Sequence, residues 1–182
     1  MATVPARAPL PRKRLLLLST ALVVYALDLI TKIVATAALD GEPPVRILGG
    51  LAYLQIVRNP GAAFSLATGL TWLLTLVAAG VVVTIIWIMP KLRSTGWAVG
   101  LGLVLAGALG NLTDRIFRAP GVFQGHVVDF FSVFAPNGDV FPVFNVADSG
   151  ITVGGVLIVI MAMIGRDYDG RSTRKTEAEN TA

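Results

Sequence analysis

"LLLLSTALVVYALDLITKIVATAAL", residues 15–39, is apolar except for Asp28 and Lys32. A helix needs about 20 such residues to cross the roughly 30 Å hydrocarbon layer of a bilayer, so the run is long enough to span. A cleaved signal peptide is the competing reading, with Arg12, Lys13 and Arg14 as its basic start and "ATA" at 35–37 as its cleavage site. The two charges interrupt the run, and the apolar region would be overlong for a signal peptide. We therefore read it as a first membrane span. The composition agrees: 54% of residues are hydrophobic and 14% charged, with a mean hydropathy of +0.73, against about 45–50% apolar in soluble domains.

Outward from this run, the pattern predicts an all-α membrane protein with four transmembrane helices at about 15–39, 70–89, 97–112 and 144–165. Pro90, Lys91 and Arg93 close the second. Residues 1–14 read as a flexible basic leader, 15–165 as the four-span domain and 166–182 as a polar, disordered tail. The connection at 40–68 carries Gly and Pro, and the alternation over Ala52 to Val57 suggests a short extended piece. Small residues four apart, Gly102, Ala106 and Gly110 with Gly150 and Gly154, would let helices three and four approach closely.

Basic residues give the orientation. Arg7, Arg12, Lys13, Arg14, Lys91, Arg93, Arg166, Arg171, Arg174 and Lys175 fall on one side, and Arg46, Arg58, Arg115 and Arg118 on the other. This bias puts both termini in the cytoplasm. The net charge of +4 reflects these topology signals, and we expect no nucleic-acid partner. There is no cysteine, which excludes disulfides, thiolate metal sites and a cysteine nucleophile.

At 1.5 Å per residue, Asp28 stands about 21 Å and Lys32 about 27 Å above the cytoplasmic end of span one. Asn111 and Asp114 end span three, and Asn145 and Asp148 open span four, so the same outer level receives them all, with Asp129 in the connection between. Charges at this depth are costly and normally face a bundle interior or a wet cavity. Several readings stay open. Asp28 and Lys32, four apart, could neutralise each other. Asp114 and Arg115 could form an interfacial ion pair, and Asn111 and Asn145 could bond between helices. Asp129 and Asp148 have no basic residue at helical spacing. Two such carboxylates can share a proton and serve as base and acid in amide hydrolysis, or they could line an ion pathway or serve structure.

Other chemistries find less support. His126 is the one histidine, and Ser132 or Ser149 could only complete a triad without a GxSxG signature. Lys32 with Ser65 would be an unsigned Ser-Lys dyad. HExxH is absent, and a harder cation held by the carboxylates ranks below a metal-free dyad. We expect no metal and no organic cofactor.

Five motifs occur in order: "DLITK" at 28–32, "RNPGAAFS" at 58–65, "GALGNLTDR" at 107–115, "GHVVDFF" at 125–131 and "FNVADS" at 144–149. With them the chain resembles the lipoprotein signal peptidases, or signal peptidases II, bacterial aspartic endopeptidases of the inner membrane. The resemblance implies Asp129 and Asp148 as the catalytic pair. It implies Asn59, Gly107, Asn111, Asp114, Arg115 and Asn145 as positioning and substrate-binding groups, with Asp28 and Lys32 supporting the site. It further implies cleavage of prolipoprotein signal peptides before a diacylglyceryl-modified cysteine at the outer membrane surface, membrane lipid as a partner and inhibition by globomycin. An extracytoplasmic sheet or cradle from residues 40–68 and a mobile part of the second connection also follow from it. We expect a monomer.

Overall fold

In the computed structural model, residues 11–61 and 71–172 are described below. Four long helices dominate: α1 (Arg12–Leu39), α2 (Thr71–Ile88), α3 (Thr95–Phe117) and α4 (Val146–Met163). All four are long and apolar enough to cross a membrane. Three strands, β1 (Val45–Ile47), β2 (Ala52–Asn59) and β3 (Val127–Val133), form one antiparallel sheet in the order β1-β2-β3. The protein is thus a four-span membrane protein with a small sheet.

The polypeptide packs around α3. Half of its most apolar stretch is buried, against 11–22% in the other three helices, because α1, α2 and α4 all lie against it. Leu17 and Ala21 of α1, Ile85 of α2 and Ala98, Leu101, Leu105 and Ala106 of α3 form the apolar core, with Leu92 of the α2–α3 connection. Outward-facing Leu22, Ile33, Leu76, Trp87 and Val156 remain exposed, the arrangement a lipid-facing surface requires. Nearer the site, glycine sets the helix spacing. A Cβ at Gly107 would overlap the Ala147 carbonyl in the first turn of α4, and one at Gly110 would overlap the Asp28 carboxylate. Only glycine lets α3 approach both neighbours so closely.

The structure departs from the sequence reading in three places. The helix expected at 97–112 continues to Phe117, so Asn111, Asp114 and Arg115 stand in its last two turns instead of at its end. The sheet takes its third strand from the second connection, and β3 lies beside β2 with Val57 opposite Asp129 and Asn59 opposite Val127. The tail does not lose its structure at 166: the Tyr168 carbonyl accepts from the Arg93 and Ser94 amides, and its ring stands edge-on to Trp97. Residues 1–10 of the leader, 173–182 of the tail and 62–70, which include Ser65, lie outside the described residues.

Candidate active site

The sheet and the ends of the helices nearest it border a cavity of about 580 Å³. Leu74, Val127, Phe141, Phe144, Ile151 and Val153 give it apolar walls, while Asn59, Asn111, Arg115, Asp129 and Asp148 supply its polar groups. An apolar pocket with a few convergent polar groups is the usual form of a binding site.

Asn145 organises the polar end. It is the N-cap of α4, its side-chain oxygen accepting from the Asp148 amide at 2.9 Å while its own amide donates to Asp148 Oδ2 at 3.2 Å. This reciprocal capping box fixes the first turn of the helix. The Asn145 Nδ2 donates to Asp129 Oδ1 at 2.7 Å, so one residue holds both carboxylates. Asn59 Nδ2 donates to Asp129 Oδ2 at 2.9 Å, and Asn111 Nδ2 donates to Asp148 Oδ1 at 2.8 Å. Asp129 is 2% exposed. Burial pushes its carboxyl up to about 7 and the charge of Asp148 adds to the rise, against the amides of Asn59 and Asn145 and the field of Lys32.

Beside this pair lies a second carboxylate cluster of opposite character. Lys32 is fully buried and reaches Asp28 and Asp114, each at 2.8 Å, and also donates to Asn111 Oδ1 at 3.2 Å. Asp28 Oδ1 accepts from the Ala147 amide, Asp114 Oδ2 from the Val128 amide. Every carboxylate in this cluster is thus charge-paired and also tied to backbone.

All ten residues singled out in the sequence stand in or against this region, but one pairing changes. Asp114 does not pair with its neighbour Arg115; its second cation is Arg118, one helical turn on. Arg115, 6% exposed, instead donates from Nη2 to the Gly61 carbonyl at 2.9 Å and lines the cavity. Its Nη1 has no partner among the described residues. The i, i+4 spacing of Asp114 and Arg118 was a readable signal for that ion pair. No comparable signal marked Phe141 or Leu74 as cavity walls. The triad alternative loses its contacts, since Ser132 Oγ donates to the Ala135 carbonyl and Ser149 Oγ to the Asn145 carbonyl. Among the described residues no three of His, Cys, Asp or Glu are grouped as metal ligands.

A family model described as Signal peptidase (SPase) II matches residues 20–164. The chain belongs to the signal peptidase II family. The lipoprotein signal peptidase of Rhodococcus jostii (strain RHA1) is 59% identical over 164 residues, covering 90% of this chain and 79% of that one. That of Mycobacterium avium (strain 104) is 51% identical over 174 residues, covering 96% and 92%. Two solved structures of bacterial membrane enzymes obtained by the in meso method superpose with TM-scores of 0.68 and 0.67, each 27% identical. The first covers 81% of this chain and 87% of its own, the second 80% and 91%. Membership in the signal peptidase II family makes the protein a multi-pass membrane protease that removes signal peptides from prolipoproteins.

Proposed function

We propose that the protein is an aspartic endopeptidase that cuts immediately before the diacylglyceryl-modified cysteine, with Asp129 and Asp148 as its catalytic pair. The observation that carries this reading is their joint attachment to Asn145 at the polar end of one apolar cavity. Neither has a lysine or arginine within ion-pair distance among the described residues. One carboxylate, ionised, takes a proton from water as its oxygen bonds to the peptide carbonyl carbon. The other, protonated, gives its proton to the carbonyl oxygen. As the tetrahedral gem-diol collapses, the first carboxylate passes its proton to the cysteine nitrogen and the C–N bond breaks. A diol hydroxyl returns a proton to the second, and the dyad is restored.

In this reading Asn59, Asn111 and Asn145 hold the carboxylates, Arg115 offers to substrate carbonyl oxygen its Nη1, which has no partner among the described residues, and Gly107 sets the α3–α4 spacing. Asp28, Lys32 and Asp114 support the site. The cavity walls on α2 and α4 take lipid chains that slide in sideways from the bilayer, and globomycin occupies the same space. Both termini lie in the cytoplasm and the site at the outer face of a bacterial inner membrane, a topology that the basic bias of the connections supports. The protein acts as a monomer without metal or organic cofactor.

The test uses purified protein in detergent and a lipidated precursor peptide. Wild type cleaves before the modified cysteine with chelator present, and folded Asp129→Asn and Asp148→Asn lose about 10³-fold or more in kcat, several kcal/mol of barrier. Equal cleavage by the folded variants would assign the carboxylates to structure.

A further inference from the structure

The Lys32 ammonium stands 2.8 Å from a carboxylate oxygen of Asp28 and of Asp114, and it donates a hydrogen bond to the side-chain oxygen of Asn111. This last acceptor is neutral and faces the dyad. By drawing the Asn111 oxygen toward itself, Lys32 turns the other end of that carboxamide, its Nδ2, onto Asp148 Oδ1. An amide nitrogen only donates, so Asp148 Oδ1 accepts there, as the two Asp129 oxygens do from Asn145 and Asn59; what sets Asp148 apart is that its amide donor is itself bonded to a buried cation.

We infer that Lys32 is a positioning residue for the reaction, acting through Asn111 to hold Asp148 as the ionised member of the dyad. This rests on the aspartic reading proposed above and assigns its two roles. Asp148 takes the proton from water and later gives it to the cysteine nitrogen. Asp129 carries the proton that goes to the carbonyl oxygen.

Three further features point the same way. Asp148 occupies the third position of the eighteen-residue α4, where helix amides favour an anion, whereas Asp129 sits in a strand without that field. Asp148 is partly exposed and Asp129 is buried, so burial penalises charge more on Asp129. The surrounding charges also balance with one proton on Asp129. Around the dyad of Asp129 from β3 and Asp148 from α4 stand Lys32 from α1 and Arg115 from α3, with Asp28, Asp114 and Arg118, just past the end of α3, in the adjoining ion cluster. Lys32, Arg115 and Arg118 then oppose Asp28, Asp114 and Asp148. The described part of β2 contributes the neutral Asn59 there, and α2 carries no ionisable residue over Thr71–Ile88.

The test is the pH profile of kcat/KM on the lipidated precursor peptide. Its acid limb reports protonation of the base and its alkaline limb loss of the acid's proton. Lys32→Met removes the cation and moves the acid limb up by about 1 pH unit. Asp28→Asn strips one anion from Lys32 while retaining an oxygen for the Ala147 amide, and moves the acid limb down by about 0.5 unit. In an Asn111→Ala background, Lys32→Met adds little further shift. Opposite shifts from two partners of one ion pair are a result that loss of packing does not produce. If Lys32→Met fails to fold, Asp28→Asn decides alone. An acid limb that stays put or moves up in Asp28→Asn, or an alkaline limb that moves in its place, overturns the relay. Inactive Asp129→Asn and Asp148→Asn beside an unmoved limb would remove the relay and leave the dyad standing.

Discussion

Two pairs of carboxylates lie side by side at the sheet end of this bundle, and they are built in opposite ways. Asp28 and Asp114 share one buried ammonium and are each tied to a backbone amide. Asp129 and Asp148 are held by amides of asparagine and by helix backbone, with no cation in contact among the described residues. A paired carboxylate is a fixed charge that locks elements together; an amide-held one keeps its proton exchangeable. The difference separates stability from chemistry within one cluster, and substitutions on the two sides must therefore fail differently.

The largest effect belongs to the unpaired side. Asp148→Asn keeps the size of the group and an oxygen for the cap, so the thermal midpoint in detergent stays near wild type while peptide cleavage falls about 10³-fold or more. Loss of folding in parallel with loss of cleavage would erase the distinction between the two pairs.

The paired side gives the reverse. Lys32→Ala leaves the buried Asp28 without a cation and Asp114 with Arg118 alone, and is expected to cost about 3–5 kcal/mol, read as a lowered thermal midpoint. Packing around glycine comes next. Gly107→Val drives a side chain against the Ala147 carbonyl and costs about 1–3 kcal/mol. Because it pushes the first turn of α4 away from Asn111, it also lowers kcat by about tenfold or more. An unchanged kcat with lowered stability would show that the α3–α4 spacing serves folding alone.

What could be read in advance follows the same division. The four spans and the Asp28–Lys32 contact are local: apolar run length and a four-residue spacing suffice for them. The convergence of the acids needed only the order of the spans and helix rise. β3 was invisible because its residues are buried on both faces over Val127, Val128 and Asp129, which leaves no alternation of polar and apolar positions. Its existence depends on β2, more than sixty residues earlier in the chain. The partner of Asp114 was missed for a different reason: Arg115 is adjacent in sequence but points to the Gly61 carbonyl, while Arg118 lies one turn on along the same helix face. Asn145 was recognisable as a polar residue at the start of a span, but its double use as cap and as donor to Asp129 depends on where β3 runs.

The smallest effect sharpens the comparison most, because it asks what the unpaired arrangement costs the fold. The Asp129 carboxyl titrates near 7 in the folded protein, raised by burial and by Asp148 from an ordinary 3.8. Below pH about 4 the group is protonated whether folded or not and exerts no pH-dependent strain. As pH rises, the unfolded chain releases the proton first, so the folded state binds more protons and stability falls until pH passes the folded value. Asp129→Asn cannot titrate and escapes this loss. Its two altered hydrogen bonds add an offset that does not vary with pH and drops out of the comparison. Relative to wild type, the variant therefore gains about 1 kcal/mol between pH 6 and pH 8, seen as a widening gap between thermal midpoints. The gap belongs to Asp129 only if Lys32→Met does not reproduce it. A gap that stays constant from pH 6 to pH 8 would mean that Asp129 is ionised throughout the range and that the proton of the dyad rests elsewhere.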